Sequence, residues 1–531
     1  MKIALIAPPY PLAEAPSPPL GLTYIAAVCG AAGHDTVIFD YIVRGYSDEK
    51  LAAEIKAFGP DVVGTNSVTM NFKKAARMLS LAKQAAPSAV TLMGGPHVSF
   101  DAKNTLADYP GIDIVVTGEG EVTVAELLTV LHEPVRWREI KGLVFRDEDG
   151  IVDTGPRELI RDLDTLPMPA RHLLPMARYQ ALGFPVSIIT SRGCPNQCIF
   201  CLGRRMVGQK VRFRSVPRVV DEIQALVEAG NPFINIADDL FTANRKRVLS
   251  FCDEILKRGL TFSWSVFARV NTVDEDILKR MKTAGCHAIS FGVESGNPGM
   301  LKRVKKGITP DQVRRAAKAC QKAGIRGHAS FIVGLPGETR QPLADSLKLQ
   351  KEIDIESAYH FLSPFPGTDV RENIEGYDLT ILTDDWDRYD ANRAIVSTAA
   401  LQPCEMNDFV DAFNTDIEAA WALAKERYSH NAATEEETMQ VGGFFRMEMI
   451  FALLNRDILE NHSGIEGPQE GAFIALSRKV AELTGLDQEF TESNLRDLWT
   501  KGFIRTVLSG SRIRFAWTHH IPLAPQPDSL G

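Results

Sequence analysis

Twice along the chain, short apolar runs alternate with amphipathic helical stretches, and a proline-bearing stretch separates the two series. The first series fills residues 1–150: KIALIAPP (Lys2 to Pro9), TVIFDY (Thr36 to Tyr41), DVVGTNS (Asp61 to Ser67), VTLMGG (Val90 to Gly95) and DIVVTGEGE (Asp113 to Glu121) read as strands. GLTYIAAVCGAAG and NFKKAARMLSLAKQAAP are helical patterns between them. This order builds an open parallel sheet with helices on both faces, and ligands of such sheets sit beyond the C-terminal strand ends. Residues 151–184, which carry DLDTLPMPARHLLP, read as a linker or extended wrap. From 185 to 385 the alternation resumes with VSIIT, FINIA, FSWSVF, AISFGVE, GHASFIVG and AYHFLSPF. Six βα units in a row predict a partial barrel of the TIM type, with chemistry at the C-terminal strand ends. In residues 386–531 strand signals largely vanish and amphipathic helices take over, a helical cap whose closing HIPLAPQPDSLG reads as a mobile tail. The fold class is therefore α/β: a Rossmann-like N-terminal domain, a partial (β/α)6 barrel and a helical C-terminal domain.

A chain of 531 residues exceeds one hydrophobic core. Its formal net charge of −8 gives no electrostatic footprint for nucleic acid. MKIALIAPPY meets prolines too early for a signal peptide, and no window approaches the ~18 apolar residues of a membrane span. These features place the protein in the cytoplasm, where a tight cysteine cluster reads as metal-binding or catalytic and not as a disulfide pair.

Such a cluster exists. Of eight cysteines, Cys194, Cys198 and Cys201 fall within SRGCPNQCIFC, directly after the first barrel strand, while Cys29, Cys252, Cys286, Cys320 and Cys404 are scattered singly and read as small buried hydrophobes. Three thiolates on one loop hold three irons of a [4Fe–4S] cube and leave the fourth iron open to a ligand, whereas ordinary electron-transfer clusters use four cysteines. Zinc is the competitor: it wants four ligands, and His172 or His287 would have to complete the set.

CPNQCIFC resembles the signature of radical S-adenosylmethionine enzymes, with Phe200 matching the aromatic residue usual before the third cysteine. The resemblance implies that S-adenosylmethionine chelates the open iron and is cleaved by one electron to a 5′-deoxyadenosyl radical. It also implies cofactor contacts at successive strand ends. Asp238 and Asp239 of ADDLF would meet the ammonium, Arg269 of FARVN a carboxylate, Glu294 and Ser295 of SFGVESG hydroxyl groups, and Gly334 of FIVGLPGET the adenine. Each has a plainer alternative: an Asp pair also caps helices, Glu294 also suits a local salt bridge, and GLPGE also makes a turn.

The first series resembles the cobalamin-binding domain often fused ahead of such barrels, on PPLGLTYIAA, GTNSVTMN, MGGPHVS and VTGEGE. Gly94, Gly95, Gly118 and Gly120 let backbone approach a bulky ligand. Thr65, Ser67, Thr69 and Ser99 supply hydroxyls, and Glu119 and His97 fall in the same segments. No histidine follows an aspartate by two positions, so the Asp-x-His-x-x-Gly signature of His-ligated cobalamin proteins is absent. His97, in GGPH, reads as a structural or cofactor-edge hydrogen bond. The alternative is another nucleotide, although no G-x-G-x-x-G follows the first strand.

Together these resemblances imply an oxygen-sensitive methyltransferase acting on an unactivated carbon of a small or medium biosynthetic intermediate, with an electron donor such as flavodoxin or ferredoxin. The similar anaerobic magnesium-protoporphyrin monomethyl ester cyclase offers ring formation or rearrangement without methyl transfer. A tRNA methylthiotransferase would carry further N-terminal cluster cysteines, where only Cys29 precedes Cys194. A cobalamin-dependent sensor or carrier would leave the thiol cluster without purpose. Helices from Phe409 to Tyr428 and Phe444 to Leu454 are expected to form a lid, with their Met and Phe stripe serving packing.

Overall fold

β1, Lys2–Ala7, exposes its first residue and buries the next five, as a strand covered by helices on both faces does. The computed structural model describes residues 1–9, 16–148, 150–462 and 464–518. β2 (Asp35–Asp40), β3 (Val62–Asn66), β4 (Val90–Gly94) and β5 (Ile114–Val116) fall on the expected runs. They lie in the order β2-β1-β3-β4-β5, all parallel. Alternation predicts a purely parallel sheet, and here the structure differs. β6 (Leu143–Asp147) and β7 (Gly150–Asp153) extend it antiparallel beyond β5. The hairpin covers the open edge of β5, and Phe145 packs edge-on against Trp137 at 5.5 Å. The sheet thus continues to Asp153, past the boundary expected at 150.

Residues 151–184 fasten the parts together. Their helix Met176–Leu182 sends the Tyr179 hydroxyl to Asp40 Oδ2 at 2.7 Å and Arg178 Nη1 to the Val43 carbonyl at 3.0 Å. Arg178 also pairs with Glu460 of the C-terminal segment.

β8 (Val186–Ile188) opens the second sheet, and β9 (Ser191–Arg192) pairs with β10 (Arg212–Phe213) as a short antiparallel ribbon beside it. β11 (Phe233–Ile236), β12 (Ser263–Ala268), β13 (Cys286–Glu294), β14 (Arg326–Val333) and β15 (Glu356–Phe361) follow. Among the described residues β8 and β11 to β15 form one six-stranded parallel sheet in the order β15-β14-β13-β12-β11-β8. This is the expected partial barrel. Burial alternates along β14, and the outer helices seal the buried set. The helix Pro310–Ala323, for example, packs on β14 and buries Val313, Ala316, Ala317 and Cys320 on one stripe.

β16 (Thr380–Ile381) and β17 (Val396–Ser397) make a small antiparallel pair. Helices Pro403–Ser429, Glu435–Asn455, Gln469–Thr484 and Gln488–Thr500 then form the expected helical segment. A correction belongs here too: β18 (Ile465–Glu466), β19 (Ile504–Ser509) and β20 (Arg512–Trp517) add an antiparallel sheet where strand signals fade. Its hairpin turns at Gly510 and Ser511, and Phe515 packs on Phe473 and Trp499 at 5.7 and 5.4 Å. The expected tail, residues 520–531, lies outside the described residues. Among those described, no helix is long and apolar enough to cross a membrane.

Candidate active site

The cysteine loop is closed at its base by the β9–β10 ribbon, in which Arg212 stands opposite Arg192. Gly193 begins the loop at φ +112°, and a Cβ there would stand 2.5 Å from the Lys210 carbonyl oxygen, so the two ends pass too close for any side chain. Each clustered sulfur has an N–H donor. Asn196 Nδ2 lies 3.2 Å from Cys194 Sγ, the Gly203 amide 3.4 Å from Cys201 Sγ, and Arg269 Nη1 3.8 Å from Cys198 Sγ. Such donors are the surroundings that hold thiolates toward iron. Burial pushes the free Cys201 thiol up to about 11, although the residue as a whole is exposed at the loop's rim, so iron must displace its proton.

The three cysteines line one cavity of ≈ 960 Å³. Neither His172 nor His287 lies in its wall, and among the described residues no three His, Cys, Asp or Glu are placed to hold a single metal ion. The donor set is thus three thiols around a roomy space, which fits a cube ligated at three corners. Of the scattered cysteines, Cys29, Cys252, Cys286 and Cys320 are buried as expected, but Cys404 is exposed at the start of its helix.

Asp239, Arg269 and Glu294 share this wall. Glu294 adopts φ 69°, a left-handed conformation unusual for a residue with a side chain, at a register shift in the β13–β14 pairing. The irregularity brings its carboxylate to Lys306 Nζ at 2.6 Å. Three other expected contacts lie elsewhere. Asp238 is buried and accepts 2.6 Å bonds from the Thr190 amide, the Thr190 hydroxyl and the Ser191 hydroxyl, so it braces the strand that leads into the loop. Ser295 is buried beside Ser346, and the Gly334 amide donates to Glu338 at 2.7 Å.

A second cavity of ≈ 390 Å³ lies between the C-terminal edge of the first sheet and the barrel. Of the residues the sequence singles out, Thr65, Gly94, Gly95, Gly118, Glu119 and Gly120 line it. Gly95, at φ +105°, could carry no Cβ without meeting the Ser67 carbonyl at 2.5 Å. Glycine backbone and apolar side chains such as Leu20, Ile25 and Val116 make a cradle suited to a broad, amide-edged ligand. Ser67, Thr69, His97 and Ser99 are not in this wall. Ser99 accepts from the Gly118 amide at 3.0 Å and donates to the Gly95 carbonyl at 2.8 Å, tying the two glycine loops together. His97 is 0% exposed, wedged between Phe72 and Trp386 with Nδ1 3.2 Å from Thr69 Oγ1. Burial, then Arg371, pushes its imidazole down to about 4. Its hydrogen-bond partner here is Thr69, inside the protein. Asp239 lines both cavities. Among the described residues, neither wall contains one beyond Asn373, and the helices expected as a lid do not line either cavity. Phe409 and Phe413 pack on Tyr359 instead.

A family model described as the B12 binding domain matches residues 13–128, and one for the radical SAM superfamily matches residues 188–349. The chain is 38% identical over 397 residues to an uncharacterized methyltransferase of Pyrococcus horikoshii, covering 73% of this chain and 86% of that one. This chain belongs to the cobalamin-binding radical SAM enzymes. It is also 31% identical over 405 residues to the anaerobic magnesium-protoporphyrin IX monomethyl ester cyclase of Rubrivivax gelatinosus, covering 74% and 72% of the two chains. Among solved structures the fold resembles the cobalamin-dependent radical enzyme OxsB, with aqua-cobalamin and S-adenosylmethionine bound, at a TM-score of 0.68, 19% identity and coverage of 94% and 80%. It also resembles TsrM from Kitasatospora setae at a TM-score of 0.64, 20% identity and coverage of 78% and 85%. The [4Fe–4S] cluster, S-adenosylmethionine and cobalamin expected from the sequence are the cofactors of this family.

Several residues of this radical SAM enzyme escape a reading of the sequence alone. Lys306 sits in KRVKKG, where nothing separates it from Lys305 until the fold turns one to Glu294. Arg192 immediately precedes Gly193 and reads as a charge at a strand end. The structure buries it against Glu119 and Glu121.

Proposed function

We propose that this enzyme methylates an unactivated carbon of a small or medium biosynthetic intermediate. The observation that carries the reading is Asp239, one side chain common to the thiol cavity and the glycine-walled cavity, which makes the two sites neighbours. The cluster and S-adenosylmethionine supply hydrogen abstraction from carbon when bound, and cobalamin supplies a methyl group. The chain's own residues do the rest. Cys194, Cys198 and Cys201 hold the irons, Asp239 accepts from a cationic ammonium, Glu294 accepts from hydroxyl groups, and Arg269 meets a carboxylate while supporting the Cys198 sulfur. Phe267, 52% exposed in the thiol cavity, gives an apolar surface for substrate. Gly94, Gly95, Gly118 and Gly120 admit the cobalamin face by backbone. The electron donor is a low-potential protein such as flavodoxin or ferredoxin.

Relatives named as methyltransferases support methylation. The likeness to the cyclase favours a second reading, ring formation without methyl transfer. Incubation with methyl-labelled S-adenosylmethionine and candidate substrates separates them. Label in the product is expected; deoxyadenosine with an unlabelled, rearranged product would replace methylation with cyclisation.

A further inference from the structure

All three clustered thiols lie on residues 193–211, between Arg192 and Arg212. Two guanidinium groups directly opposite on an antiparallel ribbon repel one another. The ribbon therefore needs an anion, and it comes from the other domain. Glu119 stands at the N-terminus of the helix Gly120–Thr129. Its Oε1 accepts from Arg192 Nη1 at 3.1 Å and Arg212 Nη2 at 2.7 Å, and its Oε2 from Arg212 Nη1 at 2.9 Å and the Ile160 amide at 2.8 Å. Glu121 takes the other arm of Arg192. Two cations and two anions balance, and all four side chains are nearly enclosed.

A carboxylate offers about four acceptor sites, and four N–H groups already fill those of Glu119. Although it lies in the wall of the glycine-lined cavity, it keeps no acceptor for a ligand there. We propose that Glu119 is a positioning residue for the iron–sulfur cluster: the cobalamin-binding domain supplies the carboxylate that clamps the stem of the thiol loop. The clamp lies two residues from Cys194 through Arg192 and continues through Gly193, whose amide donates to Asp239 Oδ2 at 3.1 Å. Without the anion, Arg192 and Arg212 would part, and the loop that must present three sulfurs at fixed spacing would open from its base. This rests on the reading that these cysteines hold the cluster.

The test uses full-length protein reconstituted anaerobically with iron and sulfide, as wild type, Glu119→Gln and Glu119→Asp. Three quantities are measured: iron release to a ferrous chelator, affinity for hydroxocobalamin by spectral titration, and melting temperature. The clamp predicts that Glu119→Gln releases iron about tenfold faster because it leaves two buried arginines short of charge. Hydroxocobalamin affinity stays within about twofold, since no ligand acceptor is lost. Glu119→Asp, which keeps the charge on a shorter stem, falls between. Unchanged iron release with weakened cobalamin binding would overturn the proposal and return Glu119 to the cobalamin site. Parallel loss of iron, cobalamin affinity and melting temperature in both variants would also overturn it, because a clamp on this stem selects the iron. Wild-type protein that takes up no iron defeats the cluster reading itself, and the clamp with it.

Discussion

The two cavities are built by opposite means. Around the thiol cavity the wall is made of side chains: Cys194, Cys198 and Cys201 face it with Asp239, Arg269 and Glu294. Around the glycine-walled cavity the wall is glycine backbone and apolar side chains such as Leu20, Ile25 and Val116, and Ser67, Thr69, His97 and Ser99 turn into the protein to brace the loops that carry it. A metal cluster demands particular atoms at particular spacing, so its site lies in side chains. A large ligand held over a sheet edge demands room and curvature, so its site lies in glycines and in hydroxyls that fix them from behind. Substituting a thiol or charged side chain should therefore abolish function at the first cavity, whereas the glycines should be the sensitive positions at the second.

The largest expected effect is Cys198→Ala. With three ligands cut to two, iron content and deoxyadenosine formation should both fall to background, measured by iron analysis and product chromatography; a variant that retains both would end the cluster assignment. Next is Glu294→Gln, which leaves the buried Lys306 ammonium without its carboxylate. Loss of about 3 kcal/mol of stability is expected, together with at least about tenfold weaker binding of S-adenosylmethionine, the loss of a charge-assisted contact. Thermal melts and ligand titration separate the two. Lost stability with unchanged titration would reduce Glu294 to an ion-pair partner and weaken the contrast between the cavities.

The same contrast explains what could be read beforehand. The parallel strands of both sheets and the thiol loop were legible because short apolar runs, helical stripes and a C-x3-C-x2-C spacing are local patterns. β6 and β7 were hidden because RDEDGI puts charge and a turn in the middle of the hairpin, and the run on either side is short. β19 and β20 were hidden because IRTVLS and RIRFAW interleave arginines with the residues they bury. The Arg192, Arg212, Glu119 and Glu121 network joins positions 71 to 93 residues apart, and no local pattern encodes that.

At the backbone-built cavity, Gly95→Ala sharpens the comparison. Its Cβ would collide with the Ser67 carbonyl at a positive φ, so about 1–3 kcal/mol of destabilisation is expected. Hydroxocobalamin affinity should fall several-fold in a spectral titration as the loop shifts. Lost stability with full affinity would mean that Gly95 serves the fold alone.

The smallest effect is expected from His97→Gln, which tests whether any side chain of that region reaches cobalt. Asp101 Oδ2 lies 3.8 Å from His97 Nε2, yet burial and Arg371 outweigh it and hold the ring neutral down to about pH 4. An unfolded histidine takes up its proton near pH 6.5. Between these values the unfolded chain binds the extra proton, so wild-type stability should fall as pH drops from about 6.5 to about 4, by at most about 3 kcal/mol. Glutamine cannot titrate, so denaturant melts of the variant should lose that part of the pH slope. The spectrum of bound hydroxocobalamin should not change, because the imidazole is packed between Phe72 and Trp386 and does not face the cavity. A shifted cobalt spectrum would show the ring swinging out to ligate, and this cavity too would then depend on a side chain.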